Sequence, residues 1–321
     1  MRKSAVVIGF GAFFLTLALL LKFYAYPRLA VIPKDQNTSQ TLVDPKANFL
    51  DVSSLSFKKA TPIQTTATVV ADKSKPKGLS GDALVINQWQ YTDSVENAKK
   101  AAGDKTKAPP ISATVQRYAI DRKTGKTLKW DGTELNGEPA DYQSAYTIKL
   151  PFNVEKKSYP YFDTTLAKPV TLEYKGTEKV LDMETYKFEV TIPDTVFQKQ
   201  ETPGMLFGLS NDSPAQNADR SYANHITVWA DPVTGVFMKM QQHQVQKLTI
   251  PNHDPITVMD TTSVMDDATV KKNVDDYSTK GRQLNALGVA PWVLMPLGLI
   301  LIIIGAIMAV VAKGRRRPKH A

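Results

Sequence analysis

The side chains able to do chemistry are sparse and scattered. Four histidines, His225, His243, His253 and His320, stand at no spacing that sets two on adjacent turns of a helix, where a pair can grip zinc beside a general base. There is no cysteine, which removes thiolate metal sites and thiol nucleophiles. Ser80 in GLSGD and Ser210 in GLSND have only a passing likeness to a nucleophile elbow, and neither a P-loop nor a dinucleotide fingerprint is present. Asp121 and Asp231 each open an Asp-x-x-Thr-Gly run. There the carboxylate accepts backbone amides and Gly takes a positive φ, which makes a tight hairpin rather than a metal site or an acid catalyst. The pairs Asp266-Asp267 and Asp275-Asp276 fall on the polar face of a predicted helix. The sequence therefore predicts a non-enzymatic protein with no metal and no cofactor. An enzyme built from distant groups stays as a third reading.

What must position any site is governed by the two ends of the chain. Val289 to Ala312 is 24 residues without a charge, followed by KGRRRPK. As a helix it is roughly 36 Å long, enough to cross a bilayer core of roughly 30 Å with some tilt. Trp292 marks one interface, and Lys313, Arg315, Arg316, Arg317 and Lys319 place the other in the cytoplasm by the positive-inside bias. Near the other terminus, Ala5 to Leu21 is apolar after Arg2 and Lys3. A cleaved signal peptide shares that pattern, but no small-x-small site follows, and the run reads as an uncleaved anchor. The expected layout is a cytoplasmic start and anchor over 1–26, an external domain over 27–287, a second span over 288–312 and a basic cytoplasmic tail over 313–321. Both termini lie in the cytoplasm and the protein sits in the plasma membrane.

This topology disposes of the charge of +9 as a sign of nucleic-acid binding. Arg2, Lys3 and the five basic residues of the tail hold seven of those charges, so the external domain has no net field to draw a phosphate backbone. An exported domain without cysteine points to a bacterial envelope. Its sequence reads as mainly β (α+β), flanked by the two transmembrane helices, with about ten to twelve strands. Residues 29–59 read as a polar exit with two apolar patches, Phe49–Val52 and Leu55–Phe57. Strands are predicted at Thr65–Ala71, Ala83–Thr92, around both Asp-x-x-Thr-Gly turns, at Tyr146–Phe152, Thr171–Tyr174, Lys179–Leu181, Tyr186–Ile192, His243–Ile250 and Ile256–Met265. Lys175-Gly176 reads as a turn, Asn97–Pro110 and Pro203–Arg220 as loops, and Asp267–Leu287 as a helix returning to the membrane.

The anchor ending in YAYPRL, the strand RYAIDRKTG, the stretch LPFNVEKKSYPYFDTTL and the turn WADPVTGV, with a single C-terminal span and basic tail, together resemble an actinobacterial family known as porin PorA. The resemblance implies an envelope protein. Some relatives are linked to channel formation and others to maturation of mannose-containing lipoglycans. The layout is also similar to class B scavenger receptors, which carry lipids through a large ectodomain; that likeness is architectural. The leading expectation is a domain that binds or transfers an amphipathic envelope lipid or lipoglycan precursor, with membrane lipids and other envelope-assembly proteins as partners. Trp89, Trp130, Tyr159, Tyr161, Phe162 and Trp229, with the apolar loop Met205, Leu206 and Phe207, are the expected lining. The alternative is a channel-forming protein. An outer-membrane barrel needs long strands with apolar outer faces, and neither predicted helix carries a polar stripe.

Overall fold

The computed structural model describes residues 2–73, 78–79, 81–100 and 103–314. Ser80, Arg315, Arg316, Arg317, Lys319 and His320 lie outside the described residues. In chain order the elements begin with helices α1 (Arg2–Leu20) and α2 (Tyr26–Leu29), then strands β1 (Asn37–Asp51), β2 (Ser56–Asp72) and β3 (Ala83–Ser94). Helix α3 (Val95–Ala98) precedes β4 (Ser112–Asp121), β5 (Thr127–Leu128), β6 (Glu134–Leu135), β7 (Glu138–Pro139), β8 (Tyr159–Asp163) and β9 (Lys168–Val180). The long strands β10 (Met183–Thr202), β11 (Gln216–Ala230), β12 (Phe237–Thr249) and β13 (Ile256–Met265) lead into α4 (Asp267–Gly314). The chain divides into two units, Met1–Val31 with Ser278–Ala321, and Ile32–Tyr277.

The first unit is a pair of helices. Lys3–Leu29 and Asp267–Lys313 hold stretches of mean hydropathy 2.4 and 2.8, long and apolar enough to cross a membrane. They pack antiparallel through glycines. A Cβ on Gly11 would stand 2.7 Å from the Gly298 carbonyl oxygen, and one on Gly298 would stand 2.8 Å from that of Gly11. Gly305 lies as close to Ile8, while Gly288 packs on Tyr26 at the opposite end. Where two helices have only lipid as the alternative neighbour, small residues let the backbones approach and gain dispersion contact. The remaining faces are apolar and exposed, among them Phe10, Phe13, Ile303 and Val310. Lys22 Nζ sits 4.5 Å from the centre of the exposed Trp292 ring, a cation–π contact at the Tyr26 end of the pair.

The second unit is one antiparallel sheet of thirteen strands among the described residues, ordered β7-β6-β4-β3-β2-β1-β13-β12-β11-β10-β9-β8, with β5 beside β4. Sequence neighbours pair from β1 to β4 and from β8 to β13, β6 adds to β4, and at the middle the first strand meets the last (Leu42 opposite Met265, Phe49 opposite Met259). The sheet curls until its ends meet. Tyr142 stacks between Tyr118 of β4 and Phe162 of β8, with ring centres 5.0 and 3.7 Å away. Hydrogen bonds follow the same route: Thr127 N donates to Ala145 O, Tyr146 N to Pro160 O, and Phe162 N to Tyr146 O. The strands thus form an open ladder whose two edges are stitched together by residues 142–149.

Several expectations change here. Residues 37–51, read as a polar exit, are β1, because its buried side is only partly apolar: Asp44 is as buried as Leu42. Tyr146–Phe152 makes no regular strand; it switches partners, bridging Tyr161 at Tyr146 and Val236 at Lys149. Lys175-Gly176 is no turn. It is a register irregularity inside β9 opposite Lys187, and the chain reverses instead at Leu181 (φ 51°). Gln216–Arg220, read as the end of a loop, opens β11. Within 97–110, Asn97 is buried and pinned at both ends of its amide, to Asp93 (2.7 Å) and to Ala108 N and O (2.9 Å each).

Candidate functional site

The nine aromatic and apolar residues expected to line a site fall in separate places. Tyr159 and Phe162 are buried, in different clusters: Tyr159 against Tyr146 and Phe188, Phe162 against Tyr142. Tyr161 meets Phe237 edge-on. Trp229 is buried and donates from Nε1 to Glu178 (2.8 Å), with Lys187 and Lys239 over its ring. Trp130 lies beneath the Arg117 guanidinium, and Trp89 stands on β3 between Thr68 and Val115. Met205, Leu206 and Phe207 form a short 3-10 turn (Gly204–Phe207). Met205 is exposed, whereas Leu206 and Phe207 pack on Leu50, Leu248 and Ile250. These last two also line a groove of about 590 Å³ with Asn252, His253, Asp254, Pro255, Ile256 and Thr257. Of the nine, Leu206 and Phe207 line this groove.

The inward face of the sheet is layered. Beside the groove lies the apolar cluster of Ala218, Leu248 and Ile250; farther along the strands, Tyr222, Ile226, Val228 and Phe188 pack around Tyr146 and Leu150. Between the two clusters the inward residues are polar. Arg220 donates from Nε to Gln246 Oε1 and from Nη1 to Gln200 Oε1, each at 2.9 Å. Burial lowers the proton affinity of its guanidinium. Tyr222 Oη donates to Asp163 Oδ2 (2.9 Å), and Asn224 Nδ2 to Tyr222 Oη (2.7 Å). Burial raises the Asp163 carboxyl against the pull of hydrogen bonds from Leu166, Tyr222 and Thr165. On β1, Asp44 accepts from Thr261 Oγ1 (2.8 Å) and Thr262 N (2.7 Å). Sequence reasoning missed Arg220, and the signal that could have found it was an arginine in phase with Tyr222, Ile226 and Val228 on one strand face.

The Asp-x-x-Thr-Gly runs do what their chemistry predicts. Asp121 Oδ1 accepts from Thr124 N (2.7 Å) and Oγ1 (2.9 Å), and Asp231 Oδ2 accepts from Thr234 N (2.9 Å). Gly125 and Gly235 have φ 80° and 75°. Both turns flank residues 149–150, and Lys149 is buried between them. Its Nζ has no hydrogen-bond partner and lies 3.6 Å from the Phe152 ring centre. Burial pushes its amine down to about 7, with the Asp231 charge opposing. The other candidates for chemistry are engaged in the fold. His225 meets Thr191 and exposed His243 meets Asp260, at 3.0 Å each; Asp275 and Asp276 pair with Lys271 and Lys272 one helical turn away. Ser210 Oγ is 3.0 Å from Ser213 Oγ.

Outward strand faces are polar: His243 and Asp260 share one, and Glu173, Lys175, Lys187 and Glu189 another. A strand face turned to lipid must be apolar over its membrane depth. Among the described residues, most of the exposed large apolar side chains lie instead on the helix pair.

Comparison with known proteins extends over the same span. A family model described as Porin PorA matches residues 3–307. A protein from Corynebacterium resistens named "Porin PorA" is 26% identical over 99% of this chain and 98% of its own length. Another of that name from Corynebacterium amycolatum is 23% identical over 93% and 96%.

Proposed function

This chain belongs to the porin PorA family, and from that premise we propose that it is an envelope membrane protein that forms a channel as an assembly of several copies. The observation that carries the reading is its likeness, over nearly its whole length, to proteins named as porins. The geometry supports an assembly rather than a one-chain barrel. The sheet wears charges on its outward faces, and the glycine contact between the two spans leaves no room for water within one pair. Any path must then lie between helix pairs of different copies. The role needs no catalytic step, in keeping with candidate acids and histidines already committed to turns and ladder pairs. The purified protein in planar bilayers should give stepwise conductance and run as an oligomer on native mass spectrometry. Monomers with no conductance above a detergent blank would retire this reading.

We place both termini in the cytoplasm, on the strength of the antiparallel pair and the basic residues after Ala312. A fluorescent protein fused to either end should fold and fluoresce, and alkaline phosphatase there should be inactive. A second reading, binding of an envelope lipid or lipoglycan precursor with other envelope proteins as partners, is favoured by the groove beside Leu206 and Phe207. It requires lipid to accompany the protein through mild extraction and to be lost in Phe207→Asp.

A further inference from the structure

We propose that Arg220, held between Gln200 and Gln246 on the inward face of the sheet, is the centre of a binding site for an anionic oxygen group, a phosphate or a carboxylate. This goes beyond the channel reading and does not depend on it. The argument begins with charge. Arg220 is half-buried, and its two bonded partners are neutral amide oxygens. No carboxylate lies within ion-pair distance of it among the described residues. The acids nearest in sequence and register are spoken for: Asp219 pairs with Lys199 (3.2 Å), Asp194 with Lys247 (3.2 Å), and Asp163 with Tyr222. A guanidinium taken partly out of water without a counter-charge is costly, and an anion supplied from outside offsets that cost.

Geometry adds to this. Gln246 accepts from Nε and Gln200 from Nη1, on different sides of the group, which sets the guanidinium plane in one orientation and leaves Nη2 with no partner among the described residues. Each bracket amide accepts through Oε1, so its NH2 remains a donor, and Gln246 is itself buried. A fixed guanidinium with Nη2 open beside amide donors can take a carboxylate or phosphate oxygen through a charge-assisted bond. The register irregularity between Val196 and Gln198 faces Phe197 toward this group, its ring centre 5.8 Å from the guanidinium carbon. Arg220 stands opposite Leu248, and Leu248 opposite Ile256, which lines the groove. Two strand spacings, roughly 10 Å, separate them. An amphipathic anion can therefore set its charge on Arg220 and its apolar part toward Leu206 and Phe207.

The test uses the full-length protein in a mild neutral detergent, titrated by calorimetry with inorganic phosphate, dihexanoyl phosphatidic acid and, as control, dihexanoyl phosphatidylcholine. Saturable binding of either phosphate probe is expected, weakened by about 10-fold or more in Arg220→Gln. Binding of phosphatidic acid alone assigns the site to a lipid headgroup; equal binding of inorganic phosphate assigns it to a free anion. Gln200→Glu guards against a folding defect: it gives Arg220 a carboxylate within the chain, so it should raise the melting temperature while abolishing binding. Absence of saturable binding by both phosphate probes, or binding unchanged in both variants, overturns the proposal.

Discussion

Gly125 and Gly235 occupy the same position of the same turn, with nearly the same φ, yet replacing them by alanine should have unequal consequences. Each substitution forces a side chain into the left-handed region, at about 1–2 kcal/mol. At Gly125 that is the whole cost, because a Cβ there meets Lys149 Cγ at 3.6 Å and Ile32 Cδ1 at 3.8 Å, ordinary contact distances. At Gly235 a Cβ would overlap the carbonyl oxygens of Leu150 and Pro151, so the docked segment must move away. Three bonds hold it there: Leu150 N to Gly235 O (2.8 Å), Asn153 N to Val233 O (2.9 Å) and Val154 N to Pro232 O (2.7 Å). At about 1 kcal/mol net for each bond, their loss brings Gly235→Ala to about 4–5 kcal/mol. For a unit of this size that converts to a fall in melting temperature of roughly 8–20 °C, against roughly 2–8 °C for Gly125→Ala. Heat unfolding of the full-length protein in mild detergent, followed by tryptophan fluorescence, reads the difference directly. Equal losses in the two variants would show that residues 149–154 do not bear on the WADPVTG turn, and would refute the reasoning.

Three further outcomes are expected. Lys149 carries a lowered pKa, so its penalty is full below about pH 7 and vanishes as pH approaches the unfolded value of 10.5. Lys149→Met should accordingly raise the melting temperature most at pH 6, with a gain that shrinks by pH 10; a pH-independent gain would contradict a buried amine. In the helix pair, Gly11→Leu should lower the midpoint of denaturation by dodecyl sulfate. Gly9→Leu, where nothing lies within 4 Å, should leave it unchanged. Tyr142→Ala removes the ring between Tyr118 and Phe162 and leaves Gln116 Oε1 without its 2.9 Å bond, at about 4–6 kcal/mol. Tyr142→Phe keeps the stack and should lose only about 1 kcal/mol, as judged by the same melt.

What could be read from the sequence was local. The two apolar runs, the Asp-x-x-Thr-Gly turns and strands with a clean alternation such as Tyr186–Ile192 follow from neighbours a few residues apart, and the structure has them. Two of the misreadings, at β1 and at the start of β11, share one physical cause, an inward face that is polar. Asp44 in β1 and Arg220 in β11 break the hydrophobic period because their partners, Thr261 for one and Gln246 for the other, arrive from distant strands. Tyr146–Phe152 has the alternation of a strand but serves two partners in turn, which no pattern within the segment reveals. The aromatic residues were visible and their grouping was not. Tyr159 and Phe162 sit three apart in one short strand and join different clusters, because an odd spacing along a strand sends the two rings to opposite faces.

The pairing of the first strand with the last sets an order on biogenesis. Asp44 and its partner Thr261 are 217 residues apart, so the seam at the centre of the sheet cannot close until almost the whole domain has emerged. Until then β1 presents a bare row of amides and carbonyls on one side, a state open to wrong pairing with another nascent chain. β13 runs directly into α4, the second helix long and apolar enough to cross a membrane, so the sheet is sealed only as that helix is being made, and the end of the chain sets the time of folding.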